Sequence, residues 1–328
     1  MKDYINEIFN IENLTQFNNL CLKAYKYQYS NNIVYKNFVD YLGASKLKIK
    51  SYKDIPMLPV EFFKTEDVVT FNKTRKKYFE SSGTSLATIK SHHYIKSLTL
   101  YEKSISQSFI KFFGNPENYI FIALTPDSIS HPHSSLAYMI DFLIKKSKST
   151  QSGFYLNKES EMLKIIKNPN NKKTLFIFGL TYALLDFSEK NNISSKNIIV
   201  LETGGMKGQR KEITKAELYD ILKKNFNIQK VYSEYSMSEL ISQAYSVNDG
   251  KYLTPPWMKI FIREANDFKN ILNNYKTGLI NIIDLANIYS CPFIATKDIG
   301  FTTKDGSFEI LGRFDHSDIR GCSLLYES

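Results

Sequence analysis

A chain of 328 residues with 43% hydrophobic and 23% charged residues can bury a sizeable core, which excludes a disordered protein. The formal net charge of +10 comes from bases spread along the chain rather than gathered in a block, so nucleic-acid binding is not the expected role, although such a surface suits polyanions in general. The three cysteines, Cys21, Cys291 and Cys322, lie far apart without CxxC spacing; this excludes a disulfide framework and a Cys-rich zinc site and leaves a single reactive thiol open.

In chain order, apolar residues at Ile5, Ile8 and Phe9, then Phe17, Leu20, Cys21, Ala24 and Tyr25, recur at three- and four-residue steps, which predicts helices ending at Gly43. Pro56 and Pro59 forbid a regular helix at residues 54–63, and the interleaved apolar side chains predict extended chain pinned to the core. Beyond this point strand-like runs at 119–124, 174–178, 197–201 and 229–232 lie among helical patterns at 90–113, 134–145, 181–189 and 214–225. Such alternation predicts an α/β body on a mostly parallel sheet covered on both faces. From Trp257 onward, short runs at 259–263, 278–284, 293–297 and 307–312 predict a small antiparallel β lobe. The expected regions are therefore a helical region with a proline-containing linker (1–56), an α/β core (57–256) and a β lobe (257–328).

No run approaches the roughly 20 apolar residues of a membrane span; the longest candidate, 174–187, is broken by Gly179, Thr181 and Asp186. The first seven residues carry acids and no apolar core, unlike a signal peptide. A cytoplasmic location is expected.

Four segments carry chemistry. In Glu80-Ser81-Ser82-Gly83-Thr84-Ser85, small hydroxylated residues around a glycine can wrap a polyphosphate, or simply form a surface turn; the GxxxxGK(S/T) nucleotide loop is absent. In Tyr235-Ser236-Met237-Ser238-Glu239, the acid can hold Mg²⁺ and Ser238 can meet a phosphate, while the same residues also read as a helical capping box from Ser236 to Glu239. The third is Thr296-Lys297-Asp298, and the fourth is Gly312-Arg313-Phe314-Asp315, running on to Arg320-Gly321-Cys322; an acid and an arginine there can hold a ribose diol or join a salt bridge. His131 and His133 flank Pro132 and read either as substrate contacts or base, or as surface loop residues.

In this order the four segments resemble the adenylate-forming superfamily of acyl-CoA synthetases, luciferases and peptide-synthetase adenylation domains, whose motifs read approximately (S/T)SGTTG, YGxTE, TGD and GRxD. A closer similarity, to the acyl-protein synthetase (LuxE-like) family, covers nearly the whole chain. It includes residues 55–64 (IPMLPVEFFK), 202–208 (ETGGMKG), 233–245 and 317–323 (SDIRGCS). The resemblance implies an adenylate-forming N-terminal core of layered sheets and helices plus a small β lobe, without the superfamily's mobile C-terminal domain. It further implies that Ser81, Ser82, Gly83, Thr84 and Ser85 surround the ATP phosphates, that Gly204 and Gly205 flank the adenine, and that Tyr235 stacks on it. Ser238 and Glu239 would meet the α-phosphate and Mg²⁺, Asp298 the ribose hydroxyls with Arg313 in support, and Cys322 would accept the acyl group.

The implied activity is ATP- and Mg²⁺-dependent activation of a carboxylic acid, a fatty acid in this family, and transfer to a thiol, then to a partner protein or carrier. The chain departs from the motifs at Ser85-Leu86, Ser236 and Lys297. Two other readings stay open: an acyltransferase using a preactivated donor without adenylation, and a non-catalytic acyl- or nucleotide-binding protein. Cys21 and Cys291 are read as structural, and segments 135–144 and 176–185 are candidates for lining an acyl pocket or for covering the sheet.

Overall fold

The computed structural model describes every residue except 45–47, 73–76, 82–88, 171–172, 192, 194–196, 249, 265–269 and 315–328. The chain forms two compact units, one of Met1–Asn72 with Pro256–Ser328 and one of Lys73–Pro255. The N-terminal helices and the C-terminal strands thus share a unit, with boundaries after 72 and 255 where the sequence suggested 56 and 256.

The first unit begins with helices α1 (Lys2–Ile8), α2 (Leu14–Asn31) and α3 (Ile33–Tyr41). The side chains of Asn13 and Asn32 cap α2 and α3, accepting from the amides of Gln16 and Tyr35. Phe17, Leu20, Cys21, Ala24 and Gln28 form the buried stripe of α2. The proline segment then supplies the short strand β1 (Leu58–Pro59) and the turn of helix α4 (Phe62–Thr65).

The second unit opens with the hairpin β2 (Lys77–Glu80) and β3 (His92–Ile95), followed by α5 (Leu98–Phe113). The helix expected at 90–113 therefore starts only at Leu98. His92–Ile95 alternates half-buried and buried positions, a period of two, and Ser97 caps the helix. There follow β4 (Tyr119–Leu124), α6 (Ser135–Ser147), β5 (Gly153–Phe154), α7 (Glu159–Lys167), β6 (Thr174–Leu180), α8 (Thr181–Lys190), β7 (Ile198–Thr203), α9 (Lys215–Phe226), β8 (Tyr232–Tyr235), β9 (Ala244–Asn248) and β10 (Lys251–Leu253). Within this unit the sheet order is β5-β4-β6-β7-β8-β9-β10, parallel as far as β8 and antiparallel thereafter.

Both faces of the parallel part are covered, so β4 and β6 read as nearly continuous apolar runs. Ile120, Ile122, Leu175, Ile177 and Val200 share one cluster with Leu184, Leu222 and Phe226 from α8 and α9. On the other face Phe176 meets Phe109 and Phe113 of α5, with ring centroids 5.4 and 5.1 Å away. The strand expected at 229–232 lies three residues later, and no helix follows it. The chain turns and returns as β9, so Ser236 and Glu239 do not form a capping box.

The first unit is completed by an antiparallel meander of β11 (Met258–Arg263), β12 (Gly278–Asp284), β13 (Phe293–Thr302) and β14 (Phe308–Arg313). β1 pairs in parallel with β13, Leu58 beside Ile294, so the middle of the proline segment is extended and pinned as predicted, while its last residues, Phe62 and Phe63, open α4. Buried side chains of the N-terminal helices satisfy carbonyls near the β12–β13 turn: Gln28 Nε2 donates to Ile288 O at 2.7 Å and Asn32 Nδ2 to Ser290 O at 3.0 Å. No helix among the described residues is long and apolar enough to cross a membrane.

Candidate active site

Parallel pairing brings the carboxyl ends of β6, β7 and β8 to one edge, where α/β folds gather ligands. At the end of β6, α8 begins at Thr181 with no intervening loop. A Cβ on Gly179 would lie 2.6 Å from Leu184 Cγ, so only glycine lets the helix fold back this closely. Thr181 Oγ1 then reaches Glu202 near the end of β7, donating to Oε2 at 2.8 Å. Glu202 is 1% exposed, and its Oε1 accepts from Ser233 Oγ at 2.5 Å and from Lys215 Nζ. A carboxylate this deep requires such partners; α8, α9 and β8 each supply one.

Past Thr203 the backbone enters the left-handed region at Gly204 (φ 75°) and Gly205 (φ 66°). The positive φ favours glycine at Gly204, and a Cβ there, 2.9 Å from Leu180 Cδ2 and 3.2 Å from Lys207 Cε, would push the ends of those side chains aside. Both glycines are exposed and leave bare backbone against which a flat ring can lie.

β8 runs beside β7 and ends at Tyr235. The two ends are stitched by Thr203 Oγ1, which lies 2.6 Å from Glu234 Oε2 and 3.3 Å from the Glu234 carbonyl oxygen. Burial pushes the Glu234 carboxyl up to about 7; the hydroxyls of Ser236 and Thr203 pull it down, and Glu202 adds to the rise. Tyr235 meets Tyr252 edge-on at 6.1 Å. Glu239, 5% exposed, accepts from Ser238 Oγ at 2.9 Å. The Ser238 carbonyl is held from β3 by buried His93, whose Nδ1–H donates to it at 2.8 Å. Since a carbonyl can only accept, this contact places a proton on Nδ1.

In the other unit, Asp298 on β13 stands directly opposite Arg313 on β14, so strand pairing joins the third and fourth motifs. Lys297, which stands where the superfamily pattern has glycine, pairs through Nζ with Glu61 Oε1 at 2.7 Å. Ser81 is tied across the β2–β3 hairpin, its Oγ accepting from Ser91 N at 3.0 Å. Ser82, Gly83, Thr84, Ser85 and Cys322 lie outside the described residues.

Cys21 and Cys291 are free and fully buried. Burial raises both thiols, Cys291 to about 12, so neither is poised as a thiolate nucleophile. His133 stacks on Tyr78 at 4.2 Å, and His131 Nδ1 lies 3.0 Å from Ser130 Oγ. Segment 135–144 belongs to α6. In segment 176–185 the strand half is core, while Tyr182 and Ala183 line a groove of about 300 Å³ with Leu124, Tyr155, Met162 and Phe187. Sequence reading did not single out His93, Glu202 or Glu234 as site residues; the available signal is an acid or histidine at an inward position of a strand.

Solved structures share this architecture. They include 2-hydroxyisobutyryl-CoA ligase in the postadenylation state (TM-score 0.68, 12% identity, 91% of this chain and 68% of that one) and ATP-bound MatB from Rhodopseudomonas palustris (TM-score 0.55, 12% identity, 75% and 49%). The fold is that of the adenylate-forming enzymes, with this chain spanning about half the length of MatB. The sequence narrows the class: it matches the acyl-protein synthetase, LuxE, family over residues 9–328, and the chain belongs to that family of enzymes. A relative, the long-chain-fatty-acid–luciferin-component ligase of Vibrio harveyi, is 23% identical over 332 residues, covering 92% of this chain and 84% of that one.

Proposed function

We propose that the protein activates a carboxylic acid with ATP as an acyl-adenylate and passes the acyl group to a thiol. The observation that carries this reading is the pairing of the Gly204-Gly205 turn with the Tyr235-to-Glu239 turn on adjacent parallel strands, in a chain of the acyl-protein synthetase family. The Vibrio harveyi relative is named for a long-chain fatty acid and a luciferin component, and a fatty acid is the first substrate to try here.

The attacking carboxylate and the α-phosphate are both anions, so the reaction needs alignment and positive charge. In this reading Gly204 and Gly205 receive the adenine with Tyr235 on its face, Asp298 and Arg313 hold the ribose, and Ser81 to Ser85 surround the phosphates. Ser238 meets the α-phosphate. No group of three or more His, Cys, Asp or Glu among the described residues could hold a metal by itself. A single carboxylate, Glu239, fits Mg²⁺, which takes most of its oxygens from phosphates and water and, when bound, offsets charge as pyrophosphate departs. A carboxylate oxygen bonds to the α-phosphorus as the bond to pyrophosphate breaks. A thiolate sulfur then attacks the acyl carbon and AMP leaves with the electron pair.

Cys322 is the proposed acceptor, since Cys21 and Cys291 are buried and keep their protons. Onward transfer to a protein or carrier thiol follows. With ATP and a fatty acid, mass spectrometry should find a hydroxylamine-labile acyl group on Cys322, and Cys322→Ser should lose the label while still releasing pyrophosphate. Labelling from a preformed thioester without ATP would instead establish the simple transferase; no label and no pyrophosphate would leave a binding protein. An acyl group on Cys21 or Cys291 removes Cys322 from the mechanism.

A further inference from the structure

Between the two turns of the site lies a carboxyl group that the chemistry above does not use. Glu234 is 4% exposed and precedes Tyr235 on β8. Its Oε1 has no hydrogen-bond partner among the described residues. Directly across the ladder on β9 stands Tyr245, whose hydroxyl is likewise buried and without a partner. The titratable and charged neighbours that act on or feel Glu234 are the Glu202 carboxylate on β7 and the phenols of Tyr101 on α5, Tyr245 on β9 and Tyr252 on β10; none of these is a cation. The Lys215 ammonium is paired with Glu202.

The hydrogen bonds discriminate between the two protonation states. Thr203 Oγ1 lies within reach of both Glu234 Oε2 (2.6 Å) and the Glu234 carbonyl oxygen (3.3 Å), yet a hydroxyl has one proton to donate. The Ser236 hydroxyl favours the ionised form, but in that form Oε2 and the carbonyl oxygen would still compete for the Thr203 proton, and Oε1 would be a bare anion with the Glu202 carboxyl group nearby. With a proton on Oε2, Glu234 donates to Thr203 Oγ1, the Thr203 proton passes to the Glu234 carbonyl, and both contacts are satisfied. Oε1 is then a neutral carbonyl oxygen, much cheaper to leave unpaired.

We propose that Glu234 is held as a neutral carboxylic acid and that its proton ties the glycine turn after β7 to the Tyr235–Glu239 turn after β8, making it a positioning residue for the nucleotide site. The nucleotide assignment rests on the function proposed above; the proton and the tie do not.

Three measurements on the intact chain separate these parts. Infrared difference spectra of wild type against Glu234→Gln at about pH 6 should contain the C=O stretch of a protonated carboxylic acid, fading as pH passes about 7; its absence at about pH 6 overturns the proposal. The protection factors of the amides across residues 202–208, which are the intrinsic base-catalysed rates divided by the observed exchange rates, should fall several-fold over the same pH range in wild type. In Glu234→Gln, whose amide can still donate to Thr203, protection should stay high and flat. Thr203→Val should show low protection at every pH, and Thr203→Ser should restore the wild-type profile. Protection that is independent of pH in wild type, or unchanged in Thr203→Val, removes the tie. Finally, ATP affinity should fall with rising pH in wild type and hold level in Glu234→Gln. A wild type that binds no ATP, with the infrared and exchange results intact, counts against the nucleotide assignment and leaves the proton in place.

Discussion

At the ends of β7 and β8 the candidate site residues sit in turns, whereas Asp298 and Arg313 sit inside an antiparallel ladder. The ladder needs no special support, because backbone pairing sets Asp298 opposite Arg313. The turns have no ladder to lean on and are held from below by buried polar groups: Thr181, Lys215 and Ser233 on Glu202, Thr203 on Glu234, and His93 on Ser238. The difference teaches that a strand positions a side chain through its own hydrogen bonds. A turn borrows its position from buried acids and their partners.

The sharpest way to test that contrast is to change one acid on each side. Glu239→Gln should lower pyrophosphate release by about 10²–10³-fold with little loss of ATP affinity, since charge at that point counts most as it develops in the transition state. Asp298→Ala should do the reverse, weakening ATP binding roughly tenfold while sparing turnover at saturation. If neither moves, both carboxylates are structural.

The pH dependence of stability comes next. Glu234 binds its proton more tightly folded than unfolded, so stability conferred by that proton is full at low pH. It declines as pH rises from the unfolded value of about 4.3 through the folded value of about 7 and levels off above it. Up to about 3 kcal/mol is at stake, and Glu234→Gln should flatten this part of a urea-denaturation series. Gly204→Ala should cost about 1–3 kcal/mol and weaken nucleotide binding, because the new methyl group meets Leu180 in a left-handed backbone. Smallest is Lys297→Ala. Its pair with Glu61 is partly exposed, so unfolding experiments should register less than about 1 kcal/mol.

The sequence made parts of this plain. Strands β4 and β6 are legible because a strand buried on both faces must be apolar throughout, and the four motifs are legible because each is contiguous. Strand β3 is hidden: His92 and His93 read as polar, and only the hairpin partner Tyr78–Glu80 shows that His93 points inward. The capping-box pattern from Ser236 to Glu239 is a local signature that cannot register the return of the chain as β9. Glu202 and Glu234 are legible only as acids within strand runs, since whether such an acid can be buried depends on hydroxyls and amines from distant elements. The opposition of Asp298 and Arg313 is likewise invisible, as the pairing shifts register between Ile299 and Gly300.

One feature of the architecture bears on how the chain is made. The second unit is continuous in sequence, but the first is assembled from two stretches separated by 183 residues, Lys73–Pro255. At about 5–20 residues per second, Gln28 and Asn32 leave the ribosome on the order of thirteen to fifty seconds before the β12–β13 turn that satisfies them. During that interval Gln28 and Asn32 lack the carbonyls that satisfy them. The second unit needs no residue outside Lys73–Pro255, whereas the first stays unfinished until the chain has passed β13 and β14.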